Sequence, residues 1–134
     1  MLRLSLLPIA LAGCASGDDS PGINYANEHG LAIQPFPANY RAEVPAFMKT
    51  YLNNPVGVRD ALMSEPIQRA VVGRQRYVSC LHFSPREADG TYRGMRETAV
   101  LFVDGRLDRM IENPGELCAA AAYQPFPELE KLTR

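Results

Sequence analysis

Tryptophan is missing from this 134-residue chain, histidine occurs twice and cysteine three times. No Cys-x-x-Cys spacing is present, which removes the usual ligand pattern of a structural zinc site. No apolar run approaches the roughly 20 residues that a membrane-spanning helix needs. The chain therefore does not read as an integral helical membrane protein. An excess of charge is also lacking. A formal net charge of −1 with scattered arginines leaves no electrostatic footprint for nucleic acid. A glycine-rich phosphate cradle and a paired-carboxylate motif are not legible either, so the sequence points to no cofactor and no small-molecule substrate. What remains is ordinary: 46% hydrophobic and 22% charged residues suit a globular chain, and the length suits one domain.

The first residues carry a pattern of their own. Arg3 and the α-amine supply a short positive region, an apolar stretch runs from Leu4 to Ala12, and small residues follow. That order is the grammar of a secretory signal rather than of a fold element. It ends in Leu11-Ala12-Gly13-Cys14, which resembles the lipobox of bacterial lipoproteins. The resemblance implies cleavage before Cys14, diacylglycerol on its sulfur and a fatty acyl chain such as palmitate on the new amine. It also implies retention at the outer membrane, since Ala15 stands where an inner-membrane protein would carry Asp. Residues 1–13 are then a signal peptide, and loss of Arg3 leaves the mature chain at a formal −2.

Residues 14–42 are rich in Gly, Ser, Asp, Asn, Pro and Ala, with Tyr25, Phe36 and Tyr40 as isolated aromatics and His29 among them. This composition predicts a flexible tether, stiffened around Pro35-Phe36-Pro37. Ala32-Ile33-Gln34-Pro35-Phe36-Pro37 is echoed by Ala122-Tyr123-Gln124-Pro125-Phe126-Pro127. The echo suits two extended segments packing a Phe on one domain better than a pair of polyproline ligands.

Residues 43–134 are expected to form the folded domain. Val44, Phe47, Met48, Tyr51 and Leu52 make one apolar helical stripe, with Pro45 in its first turn and Asn53-Asn54-Pro55 as its stop. Residues 56–64 lean to an edge strand, with a helix as the alternative. A strand spans 76–84, with Tyr77, Ser79, Leu81 and Phe83 on one face and Val78, Cys80, His82 and Ser84 on the other. After a polar connection with a turn at Asp89-Gly90, strands at 95–103 and 106–112 flank Asp104-Gly105, a type I′ hairpin signal. A short helical turn at 116–122, an extended tail from Gln124 and a helical piece near 128–132 close the chain. The expected class is α+β, one amphipathic helix on a three- or four-stranded antiparallel sheet.

Tyr77-Val78-Ser79-Cys80, Asp89-Gly90-Thr91-Tyr92, the run Ala99 to Leu107, Cys118 and Gln124-Pro125-Phe126-Pro127-Glu128-Leu129 resemble a group of small proteobacterial lipoproteins. That likeness implies an envelope location and no particular activity. The layout is also loosely similar to the helix-plus-three-strand lipoproteins that accompany outer-membrane protein assembly, although their helix motif is not evident here.

With Cys14 lipidated, two cysteines remain. In an oxidising compartment they are expected as a Cys80–Cys118 disulfide, clipping the C-terminal segment to the first clear strand. A rival reading makes Cys80, His82 and Cys118 metal ligands or part of a small periplasmic enzyme, but no fourth ligand and no triad with His82 as base is legible. A third makes the Asp89-Gly90 loop an inhibitor's tip. Arg93, Arg96, Arg106 and Arg109 suit a solvated face paired with Glu97, Asp108 and Glu112 across strands better than a contact with acidic lipid headgroups or a partner's carboxylates. The leading expectation is a non-enzymatic envelope lipoprotein, held on the periplasmic side of the outer membrane by lipid on Cys14 and acting on an envelope protein partner.

Overall fold

The structure, a computed structural model, describes residues 32–134. The leader, Cys14, Ala15, Tyr25, His29 and most of the tether lie outside the described residues. Within them the chain forms helix α1 (Tyr40–Tyr51) and strands β1 (Arg59–Met63), β2 (Ile67–Val71), β3 (Arg74–Ser84), β4 (Arg96–Val103) and β5 (Arg106–Glu112). A 3₁₀ turn (Gly115–Cys118), the two-residue strand β6 (Gln124–Pro125) and the short helix α2 (Pro127–Glu130) follow. All strands pair antiparallel in one six-stranded sheet of order β5-β4-β3-β1-β6, with β2 also on β3. The protein is thus richer in sheet than the three or four strands expected.

β3 is eleven residues long, which lets two strands share one of its edges. β2 pairs with its first half, Ile67 opposite Val78, and β1 with its second, Met63 opposite Leu81. Its faces follow the period of two. Leu81 and Phe83 join Val100 and Phe102 of β4 under Val44, Met48 and Leu52 of α1. Val78 and Cys80 join Ala99, Leu101 and Cys118 on the opposite side.

α1 starts at Tyr40 rather than at residue 43, so Pro45 sits in its second turn and not its first. The earlier start is held by tertiary packing. Pro37 is fully buried, and Phe36 meets Tyr40 and Tyr77 edge-on with ring centres 6.1 and 5.4 Å apart. Gln34 is buried against the Asp104-Gly105 turn, donating from Nε2 to Asp104 and accepting the Asp104 N–H. The expected tether therefore becomes part of the domain well before residue 42.

Residues 56–64 hold β1, which is not a sheet edge, because β6 lies outside it. A bulge places Asp60 and Ala61 opposite Phe83 alone, with Asp60 at φ +53°. The extra residue turns the Ala61 amide outward. Its N–H donates to Glu130 Oε1 and its carbonyl accepts the Phe126 N–H. Phe126 and Leu129 are thereby seated in the core at 0% exposure, so the residues from Gln124 are no extended tail. The two Pro-Phe-Pro segments both pack on the domain and both lead into a helix, but only Phe126 is fully buried; Phe36 is half-exposed.

β2 has no counterpart in the sequence reading. Its turn to β3, Val72-Gly73, has φ +49° and +74°, the same left-handed pair as Asp104-Gly105 at +53° and +80°. Asp-Gly is a favoured type I′ pair and Val-Gly is not, because a β-branched side chain clashes with its own backbone at positive φ. Val72→Asn is expected to stabilise the fold by about 1 kcal/mol. Thermal unfolding should then show a midpoint higher by roughly 4–8 °C; an unchanged or lowered midpoint would count against a strained turn.

Candidate functional site

The second face of the sheet holds Cys80, His82 and Cys118. Cys80 and Cys118 are joined, with Cα atoms 5.7 Å apart. Neither sulfur is then a thiolate, so the ligand set Cys80, His82 and Cys118 is not available to a metal ion. Among the described residues no group of three His, Cys, Asp or Glu side chains is placed to hold one.

His82, two residues along β3 from Cys80, lies opposite Glu97 of β4. Its Nε2 is 2.6 Å from Glu97 Oε2, the distance of a strong charge-assisted hydrogen bond. Tyr123 donates its hydroxyl to the same oxygen at 3.1 Å and stacks on the imidazole, with ring centres 4.2 Å apart and planes 16° off parallel. Burial, reinforced by the hydrogen bond to Glu97, raises the Tyr123 pKa, so this phenol stays protonated well above neutral pH. Sequence reading found His82 and Glu97 separately. It missed Tyr123, whose signal was the echo segment that carries it.

Residues 115–123 thus form a strap over β3 and β4, held by a covalent bond at Cys118 and by Tyr123 on His82. Its Leu117 and Ala121 pack on the Cys80 side of the sheet. The bond from His82 to Glu97, the Tyr123 hydroxyl on the same carboxylate and the ring stack together clamp the end of the strap to the sheet.

The arginines expected to pair across strands find a different arrangement. Glu97 is engaged by His82 and Tyr123, and Glu112 accepts from the Tyr51 hydroxyl of α1. That bond, with burial second, raises the Tyr51 pKa. Arg109 approaches Asp108, its chain neighbour, at 3.9 Å rather than a partner on β4. A shallow cleft of about 260 Å³ opens between Met95, Arg96, Glu97, Thr98, Glu112 and Asn113. The Asp89-Gly90 connection closes on itself: Asp89 Oδ1 accepts the Thr91 N–H and hydroxyl, and the hydroxyl bond lowers the Asp89 pKa. Tyr92 ties the loop to Gly57 and lies under Arg59, whose guanidinium carbon is 3.8 Å from the ring centre.

Compared with family models, with curated proteins and with solved structures, the chain matches none of them.

Replacing both Cys80 and Cys118 by Ala opens a loop of 38 residues and is expected to cost about 4 kcal/mol. Denaturant unfolding checks this, and a loss below about 1 kcal/mol would mean the strap is held without the bond. Tyr123→Phe keeps the stack but removes the hydroxyl bond to a carboxylate; its expected loss is about 1 kcal/mol by the same measurement.

Proposed function

We infer that the protein is a lipid-anchored envelope protein whose folded domain serves as a non-catalytic interaction module. One observation carries the reading: Cys80 and Cys118 satisfy each other. Disulfides persist outside the reducing cytosol. With two of the three cysteines so joined, Cys14 is left as the single thiol, at the position where a lipobox places the lipidated residue. One acyl chain binds a bilayer only marginally, at about 0.8 kcal/mol per buried methylene, whereas two or three make attachment effectively permanent. A domain held in this way acts where it is tethered, on the periplasmic side of the outer membrane.

The non-catalytic part of the reading is supported by the disulfide and the clamp. Both sulfurs are joined to each other and His82 Nε2 is bonded to Glu97, which takes the two cysteines away from the rival metal-binding or enzymatic use. An inhibitor acting through Asp89-Gly90 draws some support from that loop's rigidity, because a preorganised tip loses less entropy on binding.

The test is intact mass of the protein extracted from membranes. The expected species begins at Cys14, carries added acyl mass and gains no free thiol until reductant is supplied. Cys14→Ala should remain uncleaved, lack the acyl mass and leave the lipid-modified membrane fraction. A protein that retains Met1 with a bare thiol at position 14 overturns the reading.

A further inference from the structure

β1 and β2 run as one line along the same edge of β3. Ser64 donates its N–H to the Cys80 carbonyl and Ile67 stands opposite Val78, so only Glu65 and Pro66 interrupt the line. β6 covers the outer side of β1 alone, pairing Pro125 with Leu62 and Gln124 with Met63. One residue earlier the chain has left this edge, since Tyr123 lies on His82 over the second face. Among the described residues no strand pairs with the outer edge of β2.

The pairing fixes which groups this edge offers. A two-residue hairpin closes at Val71 and Arg74, which exchange both backbone bonds, and the alternation of an antiparallel ladder turns the backbone groups of Arg69 and Ile67 toward β3 as well. Gln68 and Ala70 point their N–H and C=O groups outward, and both residues are exposed. Two donors and two acceptors are therefore open to a further strand. The side chains of Ile67, Arg69 and Val71 lie on the second face, where Val71 joins the Cys80 cluster. Beside Ile67, which is 41% exposed, a notch of about 190 Å³ opens between Ser64 and Glu65 on one side and Ala120, Ala122 and Gln124 on the other. Arg69 is half-buried and forms no ion pair among the described residues, and its Nε is buried without an acceptor.

Arg69 decides what fits this edge. In a symmetric pair of β2 strands, the antiparallel register that uses all four backbone groups sets Arg69 against Arg69 of a second copy, like charges in direct opposition. A strand with a carboxylate at that position replaces the repulsion by an ion pair and gives the guanidinium an acceptor. We propose that the outer edge of β2 takes up an extended segment of a partner protein as an added antiparallel strand. The segment carries an acidic side chain opposite Arg69 and an apolar one two residues to either side, the first over Val71 and the second in the notch beside Ile67. This strand gives the interaction module inferred above a partner of stated form; it rests on that reading, while its test is independent of the lipid anchor.

The probe is a fluorescein-labelled, capped peptide with the core Val-Thr-Glu-Thr-Leu, added to the full chain with its disulfide intact and followed by fluorescence anisotropy. Saturable binding is expected. Exchanging the central Glu for Lys should weaken it about tenfold or more, and Arg69→Glu should reverse that preference. Ala70→Pro removes an outward N–H at an edge position, where proline is tolerated, and should abolish binding. N-methylation of either Thr blocks the same ladder with the protein untouched and should do likewise, whereas N-methylation of the Glu, whose N–H faces away from β2, should not. No binding, or binding indifferent to the N-methyl groups and to Arg69→Glu, refutes the added strand and leaves the mass of the anchored species as it stands. A chain that sediments as a dimer and turns monomeric on Ala70→Pro places a second copy on this edge and overturns the choice of partner.

Discussion

Everything in the described domain is built against β3. An eleven-residue strand is long enough to accept β2 and β1 side by side on one edge and β4 on the other, and both of its faces are covered. Leu81 and Phe83 anchor the layer under α1, and Val78 and Cys80 anchor the strap. Because successive side chains point to opposite faces, a one-residue slip of β3 would exchange the two sets and expose the disulfide partner to the wrong layer. Its register is therefore specified twice, once by apolar packing and once by a covalent bond.

The C-terminal residues complete both layers from opposite sides. Residues 115–123 cross one face, fixed at Cys118 and by Tyr123 on His82. The chain then passes to the outer edge of β1 and delivers Phe126 and Leu129 to the other face. The bulge at Asp60 and Ala61 permits that passage, since it turns outward the amide group that Glu130 and Phe126 take up. A chain that must be threaded over one face and under the other gains from a covalent clip, because the segment has little regular structure with which to hold itself.

The tips follow a different logic from the core. The Asp104-Gly105 turn is chemically matched to its backbone and sealed by Gln34, whereas Val72-Gly73 is mismatched and open to solvent. Two turns of the same geometry at the same end of the sheet thus differ in how well their residues suit a left-handed backbone.

Much of this was legible in the chain. The stripe Val44, Met48, Leu52, the alternation in β3, the Asp-Gly hairpin and the count of cysteines are local patterns, set by helix and strand periodicity and by turn chemistry. β2 was illegible because Val72-Gly73 is not a turn signal and because Arg69, Arg74 and Arg76 break the apolar alternation that marks a strand. Tyr123 was illegible as the partner of His82, since stacking between residues 41 positions apart follows from where the strap crosses the sheet. By itself the sequence determined the segments that periodicity and the Asp-Gly turn mark as helix or strand. Only the tertiary structure decided the six-strand order, the bulge that admits the C-terminal residues and the stacking of Tyr123 on His82. These depend on contacts between residues far apart in the chain, which no local periodicity encodes.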